Sequence, residues 1–158
     1  MVTQPPDYEH IDEQMAKLEV NLDNTPGEWL GYVMDLLFEA GANDVFYSPI
    51  YMKKNRPAVM LQLLCPISKI DEMKSIIFRE TTTLGIRYYP LTVHRLARKF
   101  YRVETIWGPV TVKEGFSEGQ LVQYSPEYEE CRAIARENGV PLKTVYDEVW
   151  RQYRHSVE

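Results

Sequence analysis

The chain of 158 residues has only two cysteines, Cys65 after a strand-like run and Cys131 inside a helix-like one. They form neither a metal-ligand spacing nor a disulfide framework, so both are expected as reduced residues in or near the core. No apolar run is long enough to cross a membrane, and no basic segment followed by an apolar one opens the chain; the cytoplasm is the expected compartment. The three histidines enter no Ser/His/Asp ordering, and the eight glycines supply neither a dinucleotide-binding fingerprint nor a Walker-type phosphate loop. No covalent nucleophile is therefore legible. His10 and His155 lie near the ends, and His94, beside Arg95, stands alone, which is more often a surface or packing position than a transition-metal site.

What is present is a strong separation of charge. The formal net charge is −5. Residues 1–52 carry ten acidic groups and one basic group, residues 53–102 three acidic and eleven basic, and residues 103–158 ten acidic and six basic. Cations gathered into one third of an acidic chain suit a grip on a compact anion better than the coating of long nucleic acid. Alternatively they pair with the acidic segments across the fold.

Residues 1–15 contain Pro5-Pro6 and no sustained periodicity, and are expected as an acidic tail or linker; the domain, residues 16–158, is expected to begin near Ala16. Leu18, Val20 and Leu22 alternate with polar residues as in a half-buried strand. Thr25-Pro26-Gly27-Glu28 has capping-box spacing for a helix with Leu30, Val33, Met34 and Leu37 on one face, ended by Gly41. A strand from Asp44 to Met52, a Lys-Lys-Asn-Arg turn and a strand from Ala58 to Cys65 follow. A helix capped by Ser68 runs to about Glu80, and a fourth strand from Gly85 to about Val93. This order predicts an α+β fold with a ferredoxin-like βαββαβ core over about 16–95 and an antiparallel sheet of spatial order 4-1-3-2. Strands two and four are then edges, where Pro49 and Pro90 are tolerated. An appendage over about 99–155 is expected as a β-hairpin turning at Gly108-Pro109, then two helices, the first capped by Ser125-Pro126 and ended near Gly139.

In that topology three connections share one end of the sheet: Asn21 to Thr25, Lys53 to Arg56 and Arg79 to Leu84. They bring together Lys53, Lys54, Asn55 and Arg56 of the hairpin, Arg79, the hydroxyls of Thr81, Thr82 and Thr83, Arg87, and two carboxylates, Asp23 and Glu80. Helix N-termini and turn amides favour phosphate, lysine and arginine neutralise it, and a carboxylate holds the divalent ion that bridges phosphates. The inventory fits a metal-bound nucleoside triphosphate. The hairpin and phosphate contacts are assigned to Lys53, Lys54, Asn55, Arg56, Arg79, Thr81, Thr82, Thr83 and Arg87, and the metal to Asp23 or Glu80.

The C-terminal helices raise one alternative, because Ala135, Gly139 and Val145 have the spacing of a helix-turn-helix. The second helix, however, carries Asp147 and Glu148 beside Lys143 and Arg151, and commits Leu142, Val145, Tyr146, Val149, Trp150 and Tyr153 to one apolar stripe. It has no basic face for phosphates, so a packing αα-hairpin is expected and no nucleic-acid partner.

Three long segments in order, "LEVNLDNTPGEWLGYVMDLLFEAGANDVFYSPIYMKKNRPAVMLQLLCP", "IIFRETTTLGIR" and "SPEYEECRAIARENGVPLKTVY", resemble the C-terminal domain of the LarC family. The resemblance implies a CTP-dependent nickel insertase (a lyase-type cyclometallase). It acts with Mn²⁺ or Mg²⁺ and places Ni²⁺ into pyridinium-3,5-bisthiocarboxylic acid mononucleotide, precursor of the nickel-pincer cofactor. This chain would supply the nucleotide-binding domain, and the family's N-terminal region would be a partner. Where the family often has two aspartates, this chain has Asp23-Asn24. Exposed sheet edges and an aromatic-rich hairpin predict a homo-oligomer, a trimer or a multiple of it. A regulatory nucleotide-binding module of the PII-like kind is the alternative from a different class.

Overall fold

The computed structural model describes residues 8–157, with the side chain of Val157 outside that description. Two compact units divide the described residues: residues 11–93 form the first, and residues 94–157 with residues 8–10 form the second. The first seven residues of the expected tail lie outside the described residues.

In the first unit, the strands β1 (His10–Leu22), β2 (Asp44–Met52), β3 (Arg56–Pro66) and β4 (Arg87–Arg95) form a sheet of order β2-β3-β1-β4, with β2 and β4 at its edges. Two helices, α1 (Gly27–Glu39) and α2 (Ile70–Glu80), complete the order β1-α1-β2-β3-α2-β4. The alternation that marked the strands decides which face is covered. Leu18, Val20 and Leu22 of β1 and Leu61, Leu63 and Cys65 of β3 are buried with Val33 and Leu37 of α1 and Met73 and Ile77 of α2. Each such side chain contributes roughly 1.5–3 kcal/mol by leaving water.

β1 begins at His10, six residues before the expected start at Ala16. Its pairing with β3 runs from Met15↔Pro66 to Leu22↔Val59, so residues 10–14 overhang β3, and Ile11, Glu13 and Gln14 are exposed. A strand that buries no face shows no periodicity in its sequence. α1 also starts differently from its expected capping box. Pro26 is the N-cap residue, Thr25 makes no capping bond, and the Trp29 amide donates to the Pro26 carbonyl at 3.0 Å. The C-terminus ends as the glycine predicted. Gly41 takes φ +100°, and the amides of Gly41 and Ala42 donate back to Phe38 and Leu37, satisfying two terminal carbonyls.

In the second unit, β5 (Ala97–Thr105), β6 (Gly108–Ser117) and β7 (Gln120–Pro126) form an antiparallel sheet of order β5-β6-β7, followed by α3 (Tyr128–Asn138) and α4 (Leu142–Val157). The expected hairpin is therefore the first two strands of three. It turns over Ile106 and Trp107, one pair earlier than Gly108-Pro109, with Thr105 opposite Gly108. Ser125 and Pro126 belong to β7 rather than capping α3, whose N-cap residue is Glu127. The αα-hairpin turns at Gly139, φ +64°. Val103, Val110, Val112, Cys131, Ile134, Val145, Val149 and Tyr153 form the core. Burial pushes both thiols, Cys65 and Cys131, up to about 11 from an ordinary 9.0.

Candidate functional site

The strand register of the first unit fixes where its connections emerge. Leu22 pairs with Val59 and Met52 with Arg56, so β1 and β2 end, and β3 begins, at the same end of the sheet. The stretch after β1, the β2–β3 turn and the stretch between α2 and β4 are joined there by side-chain bonds. The Thr82 hydroxyl donates to Asn24 Oδ1 at 2.6 Å and lies 2.8 Å from the Thr25 hydroxyl. Since a hydroxyl has one hydrogen, Thr25 is the donor in the second bond. Arg56 Nη1 lies 3.5 Å from the Asp23 carboxylate. The convergence expected from the path of the chain is thus present in the contacts.

The basic turn is a short 3-10 turn, Lys53–Asn55, whose residues are exposed. Lys54 has φ +63° and Asn55 φ +55°. Asparagine tolerates the left-handed region, but a lysine there costs on the order of 1–2 kcal/mol. Such strain is often found at functional sites, although tight hairpin turns also hold it, as Glu118 at φ +51° does between β6 and β7. Among the described residues, neither Lys53 nor Lys54 shows a hydrogen bond or ion pair, and both ammonium groups stand open to a ligand.

The other expected ligands are more engaged. Arg79 Nε donates to Glu80 at 2.5 Å, a bond that holds the guanidinium's proton more tightly still. The Thr81 hydroxyl donates to the Ile77 carbonyl at 2.7 Å, and that of Thr83 to Gly85 at 2.9 Å, so these two threonines shape the loop while Thr82 crosses to the neighbouring connection. Arg87 lies over the sheet face opposite the helices. Its Nε donates to Glu19 at 2.8 Å, and its Nη2 to Asn21 at 2.9 Å and to Met60 Sδ at 3.1 Å. Arg87 and then Lys17 hold the Glu19 carboxyl below its usual range.

Among the described residues there is no group of three or more His, Cys, Asp or Glu side chains placed to hold a metal. Asp23 and Glu80 each face a cation, Arg56 and Arg79. Two separate carboxylates do not make a protein cage. They do suit Mg²⁺ or Mn²⁺ held by one carboxylate, with phosphate oxygens and water completing the shell. His94 Nε2 lies 2.9 Å from Glu9 Oε1, and the same carboxylate accepts from the Glu118 amide at 2.7 Å and from the Ser117 hydroxyl at 3.1 Å; this is a structural tie.

Sequence reasoning missed the Asn24–Thr82–Thr25 link and the Arg87–Glu19 pair. Asn24 was visible beside Asp23, and the role it takes is that of an amide oxygen accepting from a hydroxyl. The Arg87 pair depends on cross-strand register, which had no local signal.

Residues 2–146 match the model of a family described as nickel insertion protein. A pyridinium-3,5-bisthiocarboxylic acid mononucleotide nickel insertion protein of Desulfitobacterium hafniense is 48% identical over 132 residues, covering 84% of this chain and 33% of that protein. One of the same description from Thermotoga petrophila is 45% identical over 140 residues, covering 89% of this chain and 35% of its own length. The chain spans about a third of the length of these relatives. Among solved structures, LarC2 in its apo form superposes with TM-score 0.86 at 37% identity, covering 92% of this chain and 99% of that one. That structure is described as the C-terminal domain of a cyclometallase involved in the synthesis of the NPN cofactor of lactate racemase. With a family match over nearly its whole length and a matching fold, the chain belongs to the nickel insertion protein family.

Proposed function

We propose that this chain is the nucleotide-binding domain of an enzyme that inserts nickel into pyridinium-3,5-bisthiocarboxylic acid mononucleotide, using CTP with Mn²⁺ or Mg²⁺. The nickel is cargo; the divalent ion accompanies the triphosphate. The observation that carries the nucleotide reading is the strained basic turn beside the Asp23–Thr25 connection, with Arg56 reaching Asp23 and Thr82 reaching Asn24.

In this reading Lys53, Lys54 and Arg56 grip the triphosphate, and Asn55 shapes the turn that presents them. Thr82 keeps the two neighbouring connections together, and Arg79, bonded to Glu80 at the end of α2, would neutralise charge that develops on phosphate oxygens. Asp23 or Glu80 positions the divalent ion. Arg87, bonded to Glu19 and Asn21, acts by fixing the start of β4 and reaches phosphate only by giving up those bonds. A bound divalent ion would withdraw charge from the phosphates. Catalysis would then come from preorganised electrostatics rather than from a covalent nucleophile of this chain. The family's N-terminal region is the proposed partner, and exposed Trp29 and Tyr32 on α1 and Tyr88 and Tyr89 on the edge strand β4 support a homo-oligomer.

Calorimetric titration of CTP, ATP, GTP and UTP with Mn²⁺ tests the reading. CTP is expected to bind most tightly, and conversion to CMP and pyrophosphate is expected only with the precursor and the rest of the family protein present. No nucleotide binding refutes the reading. Tight binding without turnover in the complete system assigns the chain to a PII-like regulatory class instead.

A further inference from the structure

The second unit contains a cavity of about 350 Å³, within the size range of small-molecule sites. Arg95, Arg98, Lys113, Glu114, Gln123 and Tyr124 line it. Two arginines and a lysine meet Glu114 there, Lys113 also lying 3.4 Å from Glu127, and the Glu114 carboxylate is out of place by the ordinary rules of a strand. On β6 the alternation Val110, Val112, Glu114 turns all three inward, so an acid occupies a core position and is only 8% exposed. The Tyr153 hydroxyl of α4 donates to one of its oxygens. Burying a carboxylate is costly unless its oxygens are hydrogen-bonded.

Next to it the backbone is also irregular. The β6–β7 register shifts between Gly115 and Phe116. A Cβ on Gly115 would stand 2.9 Å from Gln123 Cγ and 3.3 Å from Leu96 Cδ1, so any side chain there would displace the side chains of two wall residues. Bulges and strand-interior glycines of this kind occur where a strand is bent to serve a site.

We propose that this cavity is a second ligand site, separate from the triphosphate cluster, that binds a sugar phosphate, the ribose phosphate of a mononucleotide being the fitting size. Arg98 presents a permanently cationic guanidinium to a phosphate monoester, with Arg95 in the same wall. Guanidinium groups supply forked donors for its oxygens. Glu114 decides the rest of the ligand: an acceptor in the wall repels a bare anion but accepts from a sugar hydroxyl, so the ligand must carry donors as well as phosphate. Tyr124 adds an aromatic wall. All of these residues belong to the second unit, so the proposal stands independently of the nucleotide reading.

Calorimetry of the whole chain with ribose 5-phosphate, CMP, inorganic phosphate and ribose tests the site. Ribose 5-phosphate is expected to bind at least tenfold more tightly than inorganic phosphate or ribose. CMP binding more tightly still assigns the site to mononucleotides, and equal affinity assigns it to sugar phosphates generally. Arg98→Ala is expected to weaken ribose 5-phosphate about tenfold or more. Glu114→Gln is expected to weaken ribose 5-phosphate while sparing or improving inorganic phosphate. If Glu114→Gln does not fold, Gln123→Ala, on an exposed wall position, takes its place with a smaller expected loss. Lys54→Ala is expected to leave ribose 5-phosphate unchanged. Absent binding, binding no tighter than inorganic phosphate, or full affinity in Arg98→Ala overturns the proposal. If ribose 5-phosphate fails while CTP still binds, only this site falls; if CTP fails while ribose 5-phosphate binds, only the triphosphate reading does.

Discussion

Replacing Lys54 separates ligand binding from folding more cleanly than any other change at the basic turn. Its side chain is exposed, shows no bond among the described residues, and stands on a backbone with φ +63°. Lys54→Ala removes the ammonium but keeps the Cβ and therefore the strain, so stability is expected to stay within about 0.5 kcal/mol of the parent. Lys54→Gly removes both, and relief of left-handed strain, on the order of 1–2 kcal/mol less the entropic cost of glycine, is expected to raise Tm by a few degrees. Both variants lose the same charge-assisted phosphate contact, worth roughly 1.5–3 kcal/mol, or about ten- to a hundredfold in Kd for CTP with Mn²⁺. Calorimetry and thermal melts on the three proteins give the answer. Two variants that differ in Tm but share one weakened affinity support the clamp; parent-like CTP affinity in both refutes it.

Asp23→Asn is expected to preserve the fold and a metal-free triphosphate affinity through Lys53, Lys54 and Arg56, while losing most of the enhancement given by Mn²⁺; an unchanged enhancement in calorimetry excludes Asp23 and points to Glu80. Tyr153→Phe leaves the buried Glu114 carboxylate without its tyrosine donor, and a loss of about 1–3 kcal/mol is expected in denaturant unfolding; a change below 0.5 kcal/mol, read on the usual scale for neutral substitutions, contradicts that role. The raised thiol values of Cys65 and Cys131 give a sign for alkaline pH. Above about 9 the unfolded chain releases protons that the folded chain keeps until about 11, so stability is expected to fall across that window. The double variant Cys65→Ala, Cys131→Ala is expected to show a shallower fall in melts from pH 8 to 11, and an equal slope removes the thiols from the account.

The βαββαβ order was legible because each element of the first unit declares its own period, and because Pro49 and Pro90 fall on β2 and β4, which are the edges of the sheet. β7 was not. Its residues 120–125 are all exposed, so no buried face imposes alternation, and Ser125-Pro126 at its end imitates a helix start. The Thr25 capping box failed for a related reason: its spacing is a local rule, and a partner 57 residues away, Thr82, took the hydroxyl. At the candidate site, chain path sufficed to gather the three connections. Which cations stay open was not readable, because that depends on register, and register places Glu19 and Asn21 under Arg87.

The charge separation along the chain leads to a final prediction. Arg56 and Arg87 reach carboxylates of the acidic first third, Asp23 and Glu19, whereas Lys69, Lys74 and Arg79 pair with nearby Glu72, Asp71 and Glu80. Pairing across the fold thus accounts for only part of the basic segment. The Arg56–Asp23 pair is long, 3.5 Å, and its side chains are 60% and 32% exposed, which places it among ion pairs worth about 0–1 kcal/mol. On the proposed nucleotide reading a phosphate contact is stronger, so a triphosphate would draw Arg56 away and leave Asp23 open to the divalent ion that arrives with it, and the pair would act as a placeholder that couples the two ligands. Arg56→Ala is accordingly expected to weaken CTP binding yet strengthen Mn²⁺ binding in the absence of nucleotide, by up to about fivefold if the pair is worth 1 kcal/mol. Paramagnetic resonance of free and bound Mn²⁺ measures this directly. Mn²⁺ affinity that is unchanged or lower in Arg56→Ala shows that Asp23 is not released to the ion, and the coupling must then be sought at Arg79 and Glu80.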